Sequence, residues 1–226
     1  MNFRLTYKKE CRKPTLWGWL IILGVFLLLV FGFLRIIHGF LSVEKPVNSG
    51  VLIIDGLLPG YAYDSLESML KEGSYELVIT TGVNLDYTFY PGGNVNTAEL
   101  SLEALGQKEL HGAEAAMAPA FDVEKDRTYS AARAARAWLE VNRPCLTSFN
   151  IYSLGTHSRR SYVVYRKAFG YNYNIGVYSL PDKSYDARKW YRYSRGVRVV
   201  LSETLGYIYV KLFFRPSVKE INKSES

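Results

Sequence analysis

From Thr15 to Leu34 the chain reads TLWGWLIILGVFLLLVFGFL, twenty residues without a charge. As a helix rising 1.5 Å per residue, this run spans about 30 Å, the thickness of a bilayer's hydrocarbon core. Trp17 and Trp19 stand at one end, where indole rings favour the headgroup region. A buried core helix is rarely so long and uniformly apolar, and a cleaved leader carries a shorter apolar stretch ending in small residues. Here the run leaves through Arg35, Ile36, Ile37 and His38 with no small-residue cleavage pattern. The reading is an uncleaved signal anchor over residues 15–40, behind a cytoplasmic tail, residues 1–14.

Charge sets the expected orientation. Arg4, Lys8, Lys9, Arg12 and Lys13 precede the span against a single Glu10, which keeps that tail in the cytoplasm and sends residues 41–226 across the membrane. Much of the net charge of +7 belongs to this signal, because residues 41–226 hold 22 Lys/Arg against 20 Asp/Glu. The basic balance therefore argues little for a nucleic-acid partner. Cys11 and Cys145 fall on opposite sides of the membrane in this topology, so they cannot pair.

Beyond the anchor, residues 41–50 have the polar, Pro- and Gly-containing composition of a linker. Four apolar runs of strand length follow: GVLIIDG (50–56), YELVITTG (75–82), LTSFNIYSLG (146–155) and YNIGVYSL (173–180). Their continuous apolar or β-branched centres suit strands buried on both faces. Helical spacing appears over residues 63–73, 127–142, 158–170 and 202–214. Alternation of strand and helix predicts an α/β, Rossmann-like, mostly parallel sheet with helices on both faces, filling residues 51–214. Between Val83 and Lys125 the pattern predicts a helix over 96–106, an exposed loop over 86–94 and a further strand near Leu110. Residues 215–226 read as a disordered tail.

In open parallel sheets ligands bind beyond the carboxyl ends of the strands. Those ends carry Asp55-Gly56, then Thr80-Thr81-Gly82, then Gly155-Thr156-His157-Ser158-Arg159-Arg160. Thr156 or Ser158 is expected to cap the helix after the third strand, and His157 and Arg160, three apart, share a helix face. Cations at a helix N-terminus are unfavourable by about 0.3–1 kcal/mol, which predicts a bound phosphate or carboxylate between Arg159, Arg160 and His157. Asp126 and Thr128 read as caps of the 127–142 helix, whose first turn again holds a cation, Arg127. The chain carries no G-x-S-x-G elbow, P-loop, H-E-x-x-H, haem or dinucleotide fingerprint, and His111 and His157 are too far apart in sequence to suggest a metal site; the cofactor stays open.

Taken together, VLIIDG, LVITTG, DRTYSAARAARAWL, SLGTHSRRSYVVYRKAFG and WYRYSRGVRVVLSETLGYIY resemble, in order, the motifs of the SanA/ElyC/YdcF family, α/β domains often carried behind an N-terminal membrane anchor. The third-strand segment is the closest, to a T-x-x-H-x-x-R-A motif. Departures are a single glycine in the first turn, Thr-Thr-Gly at the second strand end, and Ser161 where Ala is usual. Residue by residue, the resemblance implicates Asp55, Gly56, Thr81, Gly82, Arg127, Thr128, His157, Arg160 and Glu203. It implies a role in envelope biogenesis, in cell-surface polysaccharide or lipid-carrier metabolism, with a periplasmic domain on an inner-membrane anchor. One soluble relative is associated with a nucleotide-like methyl donor.

The expected function is binding of, or action on, a phosphate-bearing, lipid-linked or free, glycan intermediate. In the enzymatic form, a hydrolase or transferase, Arg160 and Arg127 hold phosphate, His157 is the general acid or base, and Asp55 orients its ring. The alternative is a non-catalytic anion sensor or assembly factor, which needs the arginines but not proton transfer. A third form, a structural partner in an envelope protein complex, would act through the anchor's Gly24, Gly32 and aromatic faces.

Overall fold

A computed structural model describes residues 13–73, 75–84, 95–120, 123 and 125–216. The chain divides between Ile36 and Ile37 into two compact units. Most of the first unit is helix α1, Leu16–Leu41. Its 26 residues bury none of their side chains until Leu41. A helix of a water-soluble fold would hide an apolar stripe; this one exposes Leu20, Ile22, Leu23 and Val25 around its circumference. It is long and apolar enough to cross a membrane.

In the second unit five strands alternate with helices: β1 (Val51–Asp55), α2 (Gly60–Glu72), β2 (Leu77–Gly82), α3 (Thr97–Gly106), β3 (Glu114–Pro119), α4 (Arg127–Asn142), β4 (Ser148–Leu154), α5 (Ser158–Phe169), β5 (Asn174–Leu180) and α6 (Ser194–Leu212). All neighbouring strands are parallel, in the order β3-β2-β1-β4-β5. This is the α/β architecture that the alternating pattern predicts. The order reverses direction between β1 and β4, which opens a crevice beyond their carboxyl ends, the place where α/β sheets bind ligands.

Strand parity explains what faces what. Val51, Ile53, Leu77, Ile79, Phe149 and Ile151 form one core with α4 and α5. Leu52, Ile54, Val78 and Tyr152 form the other, with Leu66 and Leu70 of α2 and Leu105 of α3. Full burial of such side chains stabilises by about 1.5–3 kcal/mol each. Because residues alternate, Asp55, Thr81 and Ser153 fall on the first face, under α5.

Gly82 permits the close approach of α3. A Cβ there would stand 2.2 Å from the Thr97 hydroxyl oxygen and 2.4 Å from the Ala98 nitrogen, both held in the first turn of α3. Gly82→Ala is expected to cost about 1–3 kcal/mol through overpacking. Gly60→Ala, where nothing lies within 4 Å of the added carbon, should stay within about 0.5 kcal/mol of wild type. Urea unfolding of the detergent-solubilised protein measures both.

Four expectations need correction. The segment after the anchor is no loose linker. Leu41 is fully buried, Lys45 pairs antiparallel with Val177 on the edge of β5, and Val47 exchanges two hydrogen bonds of 2.8 Å with the Asn150 amide. This segment covers the open edge of β5, which the polar composition did not reveal. The expected strand near Leu110 is β3, which begins at Glu114. Its sequence EAAMAP has little β-propensity and forms by pairing along β2. The last helix starts at Ser194 instead of residue 202. Gly196 and a β-branched run disguise its first turns, which are held by packing of Gly196 on the Trp190 carbonyl and burial of Val200. The expected side-chain caps of α4 and α5 do not form. The expected loop over 86–94, most of the segment before the anchor and residues 217–226 lie outside the described residues.

Candidate functional site

Beyond the crevice between β1 and β4, side chains from five separate elements meet. Asp55 ends β1 and is nearly buried. After β4 the chain enters α5 through a 3₁₀ turn, Gly155–His157, which aims the His157 ring back over the sheet end. The His157 Nε2 lies 3.2 Å from Asp55 Oδ2, and its Nδ1 lies 3.1 Å from Glu203 Oε1 on α6. One turn along α5, Arg160 meets the same glutamate as a fork: Nε donates to Oε2 at 2.7 Å and Nη2 to Oε1 at 3.1 Å. Its third nitrogen, Nη1, donates to the Thr128 hydroxyl at 3.2 Å. Gly206 makes room for this fork. A Cβ there would come within 2.9 Å of Arg160 Cδ.

Two serines complete the shell around Asp55. Ser161 donates to Oδ2, and Ser153 Oγ lies 3.4 Å from the same oxygen. The cluster thus pairs two carboxylates with an imidazole and a guanidinium.

Its electrostatics follow from burial and pairing. Burial alone would depress the His157 pKa, but hydrogen bonds to Asp55 and Glu203, and their charges, raise it to about 9. Burial pushes the Glu203 carboxyl up, yet bonds to His157 and Arg160 hold it down at about 2. Asp55 is pushed up by burial and pulled further down by His157, Ser161 and Arg160, so it stays below the usual carboxylate range. The pairs with Asp55 and Glu203 thus favour the imidazolium form of His157, whose Nδ1 also lies 3.0 Å from Arg160 Nη2. The expectation of His157 as general acid or base takes an unperturbed pKa, and these pairs raise it. The anion expected beside His157 and Arg160 is supplied by the chain itself, as Glu203 and Asp55.

The expected caps fail for the same reason of prior commitment. Neither helix start carries a side-chain cap bond. Ser158 donates its hydroxyl to the Leu41 carbonyl at 3.3 Å. His157 already has helical backbone angles, so no extended cap residue precedes α5. Asp126 sits in left-handed geometry (φ 58°, ψ 36°), and Thr128, inside α4, accepts from Arg160.

Arg160 and Thr128 also form one wall of a cavity of about 460 Å³. Lys125, Asp126 and Arg127 at the entry to α4 line it, and Gly206 and Tyr209 of α6 face them. Among the described lining residues three cations stand against one acid. The αL–αR sequence of Asp126 and Arg127 is the backbone geometry whose successive N–H groups converge on an anion.

The structure thus brings together Asp55, His157, Arg160, Thr128 and Glu203, with Arg127 on the adjoining cavity. It places the other expected residues elsewhere. Arg159 lies with its guanidinium 3.9 Å over the Phe40 ring and donates to the Phe40 carbonyl, so it holds the end of α1. Thr81 is fully buried and binds the Ile54 carbonyl at 2.8 Å and the Tyr165 hydroxyl at 3.2 Å. Gly82 seats α3, and Gly56 (φ 77°) ties the β1 turn to the Thr81 carbonyl. These three shape the sheet end without lining the cavity.

Sequence reasoning missed Ser153, Ser161, Lys125, Gly206 and Tyr209. A signal for some was present: Ser161 follows His157 by four, and Gly206 follows Glu203 by three, so each shares a helix face with a site residue. Elsewhere, Glu67, Glu109 and His111 bring ligand atoms within 4.8 Å of one another at the surface, although Lys108 stands 4.0 Å from Glu67. Comparison with protein-family models, curated proteins and solved structures found no match to this chain.

Proposed function

We propose that this is a membrane-anchored protein of envelope biogenesis whose cavity at the start of α4 binds a phosphate-bearing glycan intermediate, free or lipid-linked, of cell-surface polysaccharide metabolism. The observation that carries the reading is the convergence of Lys125 and Arg127, with Arg160 paired to Glu203 in the wall, on one cavity beside the topological switch point. A phosphate there gains charge-assisted hydrogen bonds from the guanidinium groups and the favourable end of the α4 dipole. The envelope assignment draws on the SanA/ElyC/YdcF-like motifs and on the anchor. The basic segment before α1 supports a cytoplasmic N-terminus and a domain outside the inner membrane.

Between the two forms of the function, the geometry favours binding. Both ring nitrogens of His157 face carboxylates, so the ring positions Arg160 and Glu203, which in turn back the cavity wall. In the enzymatic form His157 is a general acid and must leave Asp55 or Glu203 to reach the ligand.

Titration calorimetry of the full-length protein in detergent, with inorganic pyrophosphate as probe, tests the reading. Lys125→Ala/Arg127→Ala is expected to weaken binding tenfold or more, about 1.4 kcal/mol, while His157→Gln retains it. Failure of wild type to bind, or equal binding by the double variant, would overturn the proposal. In cells, an envelope-polysaccharide defect rescued by His157→Gln fits the binding form, and one left unrescued by the folded variant restores the enzymatic form.

A further inference from the structure

Helix α6 presents an apolar face that no described residue of the second unit covers. Leu201, Leu205, Ile208 and Leu212 recur at helical spacing and are 43, 69, 41 and 65% exposed, with Tyr209 and Phe213 beside them. The face is also cationic at its ends, with Arg195 and Arg198 exposed near the first turns and Lys211 and Arg215 near the last. The single acid of α6, Glu203, is turned inward onto His157 and Arg160. An exposed arc of aliphatic and aromatic side chains, flanked by Arg and Lys and free of acid, has the composition of a helix that lies in a membrane interface.

The end of the anchor is fastened beside this helix. Within the second unit, the Phe40 ring packs edge-on against Tyr207 of α6 at 5.4 Å, Arg159 covers the other side of Phe40, and Leu41 is fully buried. The last residues of α1, which belong to the second unit, are therefore held in contact with α6.

We infer that α6 is a second membrane contact: its Leu201–Leu205–Ile208–Leu212 face lies in the headgroup–acyl boundary of the bilayer that α1 enters, with its arginines on anionic headgroups. The inference rests on the reading of α1 as a membrane anchor. The occupant is lipid and not a second copy of this chain, because two such faces would bring their like-charged ends together. Docked in this way, α6 holds the cavity it lines, through Gly206 and Tyr209, at the membrane surface.

The test uses the full-length chain with Cys11→Ser and Cys145→Ser, carrying one new cysteine labelled with an environment-sensitive fluorophore. The sites are Leu205→Cys and Leu212→Cys on the face, Val25→Cys within α1, and Lys71→Cys on α2 across the sheet. The protein is reconstituted in vesicles of equal parts phosphatidylcholine and phosphatidylglycerol, with or without doxyl-lipid quencher. The labels at 205, 212 and 25 are expected to be quenched about twofold or more and the label at 71 left unchanged. Arg195→Glu/Arg198→Glu should reduce quenching at 205 while leaving 25 as it was. Quenching at 25 alone overturns the α6 contact and leaves the anchor standing; quenching at none of the sites overturns the anchor as well. Disulfide crosslinking of Leu205→Cys between copies, with no lipid quenching there, identifies a dimer face and overturns the inference.

Discussion

Asp55→Ala is expected to destabilise the folded domain by about 3–5 kcal/mol, the cost of leaving a buried charge without its partner. The His157 imidazolium loses one of its two carboxylates, and the Ser161 and Ser153 hydroxyls lose a shared acceptor. The surrounding packing offers water little entry, since the Asp55 side chain is only 5% exposed. Urea unfolding of the detergent-solubilised protein measures the loss. The same pairing predicts strong coupling: the double variant Asp55→Ala/His157→Leu should be less damaged than the sum of its singles, because it removes both charges together. Additive losses would mean that the two side chains do not form the pair.

The second large effect is a two-sided pH dependence. His157 rises from 6.5 to about 9 on folding, so its contribution is complete below pH 6.5 and is lost as pH climbs through 9. The shift corresponds to about 3 kcal/mol. Glu203 falls from 4.5 to about 2, so its contribution is complete above pH 4.5 and is lost as pH drops towards 2, with Asp55 acting in the same direction. The two flanks report overlapping ion pairs and do not add. Stability measured from pH 3 to 10 should form a plateau between about 4.5 and 6.5 and decline on both sides. His157→Gln should flatten the alkaline decline selectively. An unchanged alkaline limb in that variant would remove His157 as its cause.

Much of the fold could be read from local pattern. Continuous apolar runs bounded by glycine mark β1, β2, β4 and β5 because strands buried on both faces have no polar side to alternate. The 127–142 helix was legible from its Ala-rich spacing, and Gly170 marks the end of α5 with positive φ. β3 was less legible, since an edge strand reading EAAMAP takes its conformation from its partner.

The site divides along the same line. His157 and Arg160 share a face for reasons internal to one helix, and Asp55 reaches the rim by strand parity. The pairing of Glu203 with both is a long-range contact between α5 and α6. Without it, two cations at a helix start imply an external anion; with it, the anion is a side chain, and Lys125 and Arg127 line the adjoining cavity. Thr81 and Arg159 were misplaced for a related reason: sequence shows a polar residue at a rim, but not the buried carbonyl or ring that claims it.

At the carboxyl end of the sheet the His157 imidazole is held between two carboxylates, which favour its protonated form. Nitrogen NMR of histidine-labelled protein reads this directly, since the chain has three histidines and His157→Gln assigns the signal. Both ring nitrogens of His157 should remain protonated through neutral pH and titrate near 9. A neutral ring at pH 7.5, titrating near its ordinary 6.5, would contradict the cluster and the cavity wall built on it.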